Sequence, residues 1–319
     1  MIVFHHRHRA NFYASGGLER AHLLRGDAEA LRRALAEPRT RVLPVWRARS
    51  LVVEPAKPGD APQVAALGVA EFRRRFDEIP LDPGIDAALL GFAGGAAQFA
   101  VDVSALVEED AQARVAGIAK FVDLRAVGPL MAHDEGARLA YARGLLHWHD
   151  RHRFCGACGS PAAFAEAGHV RRCTNAGCKA SHFPRTDPAV IMLVTDGARI
   201  LLGRQRVWPP GQHSVLAGFV EPGESLEDAV AREVLEEVGL KVRDIRYRSS
   251  QPWPFPASIM LGFTAVSDAV EPKVDTDELE TARWFTRAEM KACPENEIFR
   301  LPRRDSIARR LVEDWLAED

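Results

Sequence analysis

The sequence predicts an α/β protein with three parts: a small N-terminal α/β domain, a short cysteine-containing module and a C-terminal α/β domain. Three observations support this. Apolar strand patterns alternate with helical patterns, four of the five cysteines lie between Cys155 and Cys178, and a capped amphipathic helix follows a glycine-containing loop near residue 225. We expect the boundaries 1–150, 151–184 and 185–319, and 319 residues are enough for two or three domains.

The composition limits the classes of function. Apolar residues at 47% and charged residues at 27% are ordinary for a soluble globular protein, and a net charge of −2 argues mildly against nucleic-acid binding as the main role. No apolar run reaches the length of a membrane span, and the first residues lack the apolar core of a signal peptide. We therefore expect a cytoplasmic protein without membrane attachment. His5, His6 and His8 fit a solvated segment better than a metal-binding tract.

The N-terminal third contains no motif that points to chemistry. Short helical or strand patterns are predicted at 26–36, 40–46, 99–103, 119–124 and 134–148. The GFAGG segment at 91–95 is predicted to be a turn or exposed loop, because its glycine spacing is too irregular for a phosphate-binding loop.

The four clustered cysteines form two closely spaced pairs, CGAC at 155–158 and CTNAGC at 173–178, separated by fourteen residues. Two such turns joined by a hairpin predict one structural Zn²⁺ on Cys155, Cys158, Cys173 and Cys178. A redox CxxC is the alternative, but it leaves the second pair unexplained. We expect the neighbouring His152, His169 and His182 to be bystanders, and Cys293 to be a lone thiol.

The C-terminal part has the strongest strand and helix patterns. Strands are predicted at 189–195, 198–203, 214–220, 242–249, 258–266 and 284–285, with Asp196-Gly197 as a hairpin turn. Thr286 is expected to cap a short helix. Ile307, Leu311 and Trp315 recur every four residues and predict a final amphipathic helix.

The segment GFVEPGESLEDAVAREVLEEVGL at 218–240 predicts a loop followed by a helix. Ser225 and Asp228 can form a capping box, and Gly239 can end the helix. Glu233, Glu236 and Glu237, at i, i+3 and i+4, fall on one face. Such like charges weaken a helix unless a cation such as Mg²⁺ lies between them, so the triplet by itself leaves a metal site and a solvated acidic face both open.

The wider spacing resembles the signature of the Nudix hydrolases at every specified position: Gly218, five residues, Glu224, seven residues, then REVLEEVGL at 232–240. The resemblance implies an α/β/α sandwich with a mixed sheet and hydrolysis of a nucleoside diphosphate linked to another group. It also implies that the three glutamates of the triplet hold Mg²⁺ or Mn²⁺, and it makes each of them a candidate for the base that activates water. Glu224 would pair with Arg232 and hold the loop against the helix.

The segment SQPWPFPAS at 250–258 follows this signature. Its three prolines predict a rigid, extended loop that presents Trp253 and Phe255 for ring stacking, and a connector packed on the core is the alternative. With the cysteine module upstream, this segment resembles the NADH pyrophosphatase family of the Nudix hydrolases. The resemblance covers essentially the whole chain and is weakest in the first third. One departure is CxxxxC at 173–178, where CxxC is expected in many bacterial members.

The family resemblance implies further site residues. Glu278 matches a fourth acidic metal or water-positioning residue, and Glu280 is close enough in sequence to be confused with it. Phe183, Phe219 and Ala308 match positions near the substrate, the first two as stacking rings. The substrate-binding positions implied are Phe183, Phe219, Gln251, Trp253, Phe255, Ser258 and Ala308.

The expected activity is hydrolysis of NADH or NAD⁺ to NMNH or NMN and AMP, with two or three Mg²⁺ or Mn²⁺ ions, in a homodimer. Removal of an NAD cap from the 5′ end of RNA is the alternative, since it uses the same chemistry. A non-catalytic nucleotide-sensing regulator would lack the carboxylates, yet all are present. Another Nudix substrate, such as ADP-ribose, is disfavoured by the SQPWPFP segment.

Overall fold

The computed structural model describes residues 10–318 except 54, 56, 58 and 269; the predicted histidine segment with His5, His6 and His8 lies outside these residues. The chain divides into two compact units. The N-terminal unit contains Tyr13–Thr186 together with Pro254–Ala257. The C-terminal unit contains Asp187–Trp253, the chain from Ser258 onward and the described residues before Tyr13. The three-part division at 150 and 184 stays a prediction.

The N-terminal unit is built on a mixed sheet with helices against it. Its elements before the cysteine module are α1 (Ala28–Ala36), β1 (Arg41–Trp46), β2 (Arg49–Val53), β3 (Gln63–Val64), β4 (Leu67–Gly68), α2 (Val69–Arg75), β5 (Ala87–Ala93), β6 (Ala96–Asp102), α3 (Glu108–Val115), β7 (Lys120–Val122), α4 (Leu124–Val127) and α5 (His133–Arg151). The main strand order is β3-β2-β1-β6-β5, with β1 parallel to β6. Asp27 caps α1 by accepting hydrogen bonds from the amides of Glu29 and Ala30. The predicted α/β organisation is therefore confirmed.

The cysteine module forms a small antiparallel sheet within the same unit. Its strands are β8 (Ala162–Ala165), β9 (Val170–Cys173) and β10 (Ser181–His182), in the order β10-β9-β8. His149 of α5 stacks on Phe164 of β8, with ring centroids 4.7 Å apart, so α5 and the small sheet share a packed contact.

The C-terminal unit is a second mixed sheet. Its elements are β11 (Asp187–Thr195), β12 (Arg199–Arg204), β13 (Leu216–Phe219), α6 (Leu226–Val238), β14 (Val242–Trp253), β15 (Ser258–Ser267), β16 (Thr281–Thr286), α7 (Arg287–Lys291) and α8 (Ile307–Ala317). The strand order is β14-β15-β11-β12-β16, with β13 also paired to β11. β11 runs parallel to β15 and antiparallel to β12 and β13.

Successive residues of β11 face opposite sides of this sheet. Val190 and Met192 pack in one apolar cluster with residues of α6, whereas Ile191 and Leu193 pack in another with residues of α8. Both faces are thereby covered by helices, as an α/β/α sandwich requires. The predicted fold class is confirmed.

Short sequence patterns correctly predicted where α6 begins and ends and where α7 begins. Ser225 and Asp228 form the predicted capping box of α6, and Gly239 follows it with φ +67°. Thr286 and Glu289 form a second capping box at α7. These contacts involve residues three positions apart, so the sequence pattern was sufficient to predict them.

Two loop predictions were wrong. Within GFAGG, residues 91–93 belong to β5, and the turn contains only Gly94 and Gly95. The segment 250–258 is not an extended loop, because 250–253 end β14, 254–257 form a turn and 258 begins β15. Pro252 fits within β14 because β14 is an edge strand, where a missing N–H need not break a ladder.

Among the described residues, no helix is both long and apolar enough to span a membrane.

Candidate active site

Arg232, in the middle of α6, is the centre of a hydrogen-bond network that joins the helix to the preceding loop. Its Nε and Nη2 donate to the two carboxylate oxygens of Glu224 at 2.6 and 3.0 Å, and Nη2 also donates to the Phe219 carbonyl at 2.9 Å. The hydrogen bond from Arg232, followed by one from the Glu221 amide, lowers the pKa of Glu224 to about 2. The predicted pair of Glu224 and Arg232 is present and ties the loop to the helix.

The same guanidinium also reaches the acidic face of α6. Its Nη1 donates to Glu233 Oε1 at 2.8 Å and to Glu236 Oε2 at 2.9 Å. One cation therefore offsets part of the repulsion between these carboxylates. Glu236 is exposed, whereas Glu233 is buried, so only part of the predicted acidic face is accessible to solvent.

Glu237 is the most unusual carboxylate of the site. It is 4% exposed, and its Oε2 is a buried atom without a hydrogen-bond partner among the described residues. Burial, together with the negative charges of Glu233 and Glu278, raises its pKa to about 8. Burial likewise raises the pKa of Glu233, although Arg232 opposes the shift. An unpaired buried carboxyl oxygen is costly to keep, which points to a ligand for it.

Gly218 of β13 makes room for Glu233. A Cβ atom at Gly218 would lie 1.8 Å from Glu233 Cδ and 1.9 Å from its Oε1. The carboxylate therefore lies directly against the strand backbone, and any side chain at this position would displace it. This is the physical reason why the motif begins with glycine.

Glu278 and its neighbour Glu280 have different interactions in the structure. The charge of Glu278 raises the pKa values of both Glu233 and Glu237, so Glu278 lies close enough to the acidic cluster to interact with it electrostatically. Glu280 instead forms an ion pair with Arg204 at 2.8 Å. The sequence motif alone did not separate these two residues, because they lie only two positions apart.

The acidic cluster fits a hard divalent cation by its donor set. Carboxylate oxygens are the ligands that Mg²⁺ and Mn²⁺ take, and the free Glu237 Oε2 is available to one. The cluster is not tightly convergent in this arrangement. Among the described residues, the one group of three or more ligand atoms within 4.8 Å of one another is the four cysteine thiols.

These thiols have the geometry of a closed metal site. Cys155 Sγ lies 3.8 Å from Cys178 Sγ, and Cys158 Sγ lies 3.4 Å from Cys173 Sγ. Four sulfurs at about 2.3 Å from a central Zn²⁺ would be roughly 3.8 Å apart, so the cluster fits a tetrahedral ion.

The longer second turn keeps this geometry. The amides of Cys178 and Lys179 both donate to the Asn175 carbonyl at 3.0 Å, and the Gly177 amide donates to Asn175 Oδ1 at 2.9 Å. The two extra residues of CxxxxC are therefore absorbed in a hydrogen-bonded turn that still brings Cys178 to the cluster.

The nearby histidines make other contacts. His152 Nδ1 lies 2.9 Å from the Trp148 carbonyl and His169 Nε2 lies 2.8 Å from the Leu89 carbonyl. His182 Nε2 lies 3.3 Å from Cys155 Sγ, a contact with a ligand sulfur that the sequence did not predict. Histidines are absent from the group of convergent ligand atoms found among the described residues, in agreement with the prediction.

Of the predicted stacking rings, two are widely exposed. Phe183 in the N-terminal unit is 60% exposed, and Phe219 in the C-terminal unit is 61% exposed. Trp253 ends β14 and is half-buried. The ring faces of Phe183 and Phe219 are open to solvent, so both are accessible for stacking on a flat group.

Four other predicted substrate contacts are buried in this structure. Gln251 is 1% exposed and its amide is fully used: Nε2 donates to the carbonyls of Asp305 and Phe12, and Oε1 accepts from the Ile307 amide at 2.6 Å. Gln251 therefore holds the start of α8. Ala308 is also buried, in the apolar cluster beside α8, and Ser258 is buried at the start of β15.

Phe255, the fourth, is a packing residue of the N-terminal unit in this structure. Its ring lies 5.9 Å from the Tyr13 ring in an edge-to-face arrangement, and the guanidinium carbons of Arg125 and Arg143 lie 4.9 and 5.1 Å from its centroid. Arg143 Nε also donates to the Pro254 carbonyl at 2.7 Å. The connector alternative was the better interpretation for this ring, and the two arginines that hold it carried no sequence signal.

Comparison with known proteins agrees with this geometry. Family models match a NUDIX domain at 185–308, an NADH pyrophosphatase zinc ribbon domain at 150–183 and an NADH pyrophosphatase-like rudimentary NUDIX domain at 39–148. The chain is similar to the NAD-capped RNA hydrolase NUDT12 of Macaca fascicularis, with 45% identity over 57% of this chain and 42% of that protein. It is also similar to the NAD-capped RNA hydrolase NudC of Mycobacterium bovis, with 47% identity over 62% of this chain and 66% of that protein. The matches thus span about two fifths to two thirds of these curated relatives.

Proposed function

Because the chain belongs to the NADH pyrophosphatase family of the Nudix hydrolases, we propose that it hydrolyses the pyrophosphate bond of NADH or NAD⁺, giving NMNH or NMN and AMP. The observation that carries this proposal is the buried pair of Glu233 and Glu237 on α6, with Glu237 Oε2 unpartnered. Two adjacent buried carboxylates are unfavourable in a purely structural role, whereas a divalent cation would neutralise them.

We assign Glu233, Glu236, Glu237 and Glu278 as the residues that hold two or three Mg²⁺ or Mn²⁺ ions. Such ions, when bound, neutralise the charge of the diphosphate and lower the pKa of a coordinated water. Arg232 fixes Glu233 and Glu236 through its Nη1, and Glu224 fixes Arg232 in turn. The raised pKa of Glu237 applies without a bound cation; a bound Mg²⁺ or Mn²⁺ would favour the ionised carboxylate that ligates it.

The exposed rings of Phe219 and Phe183 support a substrate with flat groups. A nicotinamide or adenine ring could stack on either one. The four cysteine thiols would hold one Zn²⁺ in a structural role, since their closed geometry leaves no position for a substrate.

Removal of an NAD cap from the 5′ end of RNA is a second candidate function. The relatives from Macaca fascicularis and Mycobacterium bovis are both named NAD-capped RNA hydrolases. The reaction breaks the same pyrophosphate bond, so the acidic cluster would serve both substrates. Rates on NADH and on NAD-capped RNA, compared across a salt series, separate the two, because an RNA substrate held through its phosphates loses affinity as salt rises.

A homodimer in the cytoplasm is also part of the proposal. Light scattering of the purified protein tests the dimer, and fractionation of the source cells tests the location.

Product analysis tests the activity directly. The purified protein is incubated with NADH and Mg²⁺ or Mn²⁺, and the products are separated by chromatography. We expect NMNH and AMP, and we expect Glu237→Gln to lower turnover by about 10²-fold or more while the fold is retained. Glu227→Gln is the matched control, since Glu227 is an exposed glutamate on the same helix. Near-normal turnover in Glu237→Gln, or NADH left intact by the unaltered protein with metal supplied, would overturn the proposal.

A further inference from the structure

Two arginines, Arg20 and Arg25, follow a residue that pairs with the last strand of the N-terminal sheet. Glu19 pairs with Phe92 of β5 through two backbone hydrogen bonds of 2.9 and 2.8 Å, and β5 is the last strand in the main order. A Cβ atom at Gly91 would lie 2.3 Å from the Glu19 carbonyl oxygen. This close approach positions the next residue, Arg20, against the sheet.

The Arg25 side chain contacts the backbone of Arg20, and neither arginine has an acidic partner among the described residues. Arg25 Nη2 donates to the Arg20 carbonyl at 3.2 Å, and the Arg20 guanidinium carbon lies 4.0 Å from the centroid of the Tyr141 ring on α5. Within the described part of the chain, neither guanidinium forms an ion pair with a carboxylate. Arg25 Nε is a buried donor without an acceptor, which is an unfavourable arrangement for a protein to keep.

Among the groups around these arginines, Tyr141 and Glu166 raise the pKa of Arg25 and offset only part of its charge. The Tyr141 hydroxyl lies 3.5 Å from His169 Nε2, which also lies 2.8 Å from the Leu89 carbonyl. Burial and the charges of Arg25 and Arg20 lower the pKa of His169 to about 4, and burial and the charge of Arg20 help to lower the pKa of Arg25. Glu166 acts on Arg25 from a distance, but its carboxylate lies 3.5 Å from Arg172.

From this geometry we propose that Arg20, Arg25 and the Tyr141 hydroxyl form a binding site for a small phosphate-type oxyanion, separate from the acidic cluster of the C-terminal unit. An oxyanion would accept the unused Arg25 Nε–H and neutralise the two like charges together. Guanidinium groups match phosphate oxygens in geometry and charge, and the tyrosine hydroxyl can add a further donor. Inorganic phosphate and the terminal phosphate of a mononucleotide share this chemistry.

Calorimetry and NMR test the site in the zinc-loaded full chain without added Mg²⁺ or Mn²⁺. Inorganic phosphate is titrated first and AMP second, which separates free phosphate from a nucleotide phosphate. We expect saturable binding, and we expect the Arg25 Nε–H resonance to move downfield as it gains an acceptor. Arg20→Gln and Arg25→Gln should each weaken binding by about tenfold or more. Arg32→Gln is the matched control, because Arg32 is an exposed arginine on α1.

The outcomes decide the proposal. Equal phosphate affinity in Arg20→Gln, Arg25→Gln and Arg32→Gln would show only a general effect of charge and would overturn the proposal. An Arg25 Nε–H resonance that does not shift when phosphate is added would also overturn it. If Arg25→Gln proves unstable, Arg20→Gln decides alone, since Arg20 is exposed. Binding of a single-stranded oligonucleotide through these arginines, with no binding of phosphate or AMP, would also refute the small-anion assignment.

Discussion

The helices α6 and α5 differ in what they bury. Each packs on the sheet of its own unit, but α6 buries two carboxylates, Glu233 and Glu237, whereas the one ionisable side chain that α5 buries is His149. His149 is fully satisfied: Nε2 lies 2.8 Å from the Gly168 carbonyl, and Nδ1 accepts from Arg171 Nε at 3.0 Å. Glu237 has a buried oxygen with no hydrogen-bond partner among the described residues.

The comparison shows how a structural polar group can be told from a ligand-binding one. Burial alone does not separate them, since His149 and Glu237 are both nearly inaccessible. The difference lies in whether the surrounding protein supplies the hydrogen bonds. In the unit that contains α5, the candidate metal ligands are not on this helix. They are the four cysteine sulfurs of the thiol cluster.

Removing one thiol should have the largest effect. Cys158→Ser leaves three sulfurs for the ion, so we expect loss of zinc and a decrease of several kcal/mol in the free energy of unfolding of the N-terminal unit. Metal analysis by mass spectrometry and chemical denaturation measure the two effects. Cys293→Ser is the control, because Cys293 stands apart from the cluster and should leave the zinc content unchanged. Full zinc content in Cys158→Ser would show that the cluster is not the metal site.

Replacing one glycine by alanine in each unit should have opposite consequences near the two helices. Gly218→Ala places a Cβ against the Glu233 carboxylate, and a displacement of about 1 Å can cost on the order of 10²-fold in rate. Gly144→Ala on α5 meets no atom within 4 Å and should stabilise the helix by up to about 1 kcal/mol. Steady-state kinetics and thermal unfolding test both. Normal kinetics in Gly218→Ala would mean that the position of Glu233 is not critical.

The neighbouring acids Glu278 and Glu280 provide a smaller test. Glu278 interacts electrostatically with the buried carboxylates, so Glu278→Gln should lower metal-dependent turnover by about tenfold. Glu280→Gln removes a partly exposed ion pair with Arg204 and should change the free energy of unfolding by less than about 1 kcal/mol, with normal turnover. Metal-activation curves of the two variants make the comparison, and the reverse order of effects would reassign the fourth acidic residue.

The last test concerns His149 and the pH dependence of stability. Burial, with the charge of Arg171, lowers the pKa of His149 to about 3. The unfolded chain therefore takes up the proton at higher pH than the folded one, and stability is lost as the pH falls from about 6.5 to about 3, by at most about 1.4 kcal/mol per pH unit. In His149→Gln this contribution should disappear.

Denaturation curves across this pH range test the effect. His22→Gln, at an exposed position of the same unit, serves as the control. An unchanged pH dependence in His149→Gln would mean that the buried imidazole is not the group that titrates.

Features that depend on residues near one another in sequence were predictable. The capping boxes of α6 and α7, the spacing of the four cysteines and the pair of Glu224 and Arg232 all follow from short-range patterns, and the structure contains each one. Predictions failed at 250–258, where proline content alone was read as a loop. Whether a proline can stay in a strand depends on whether that strand lies at the edge of the sheet, which the sequence does not state.

The sequence by itself determined the covalent pattern of ligands: three glutamates on one helical face, four thiols in two turns, and a glycine ahead of the helix. The tertiary structure decided which of these atoms are buried and which have hydrogen-bond partners. It buries Glu237 but not Glu236, and it places Glu278 near enough to affect the pKa of Glu237. It also brings the amide group of Gln251 into hydrogen bonds at the start of α8. Burial and hydrogen-bond satisfaction arise from segments far apart in the chain, so no local pattern could have predicted them.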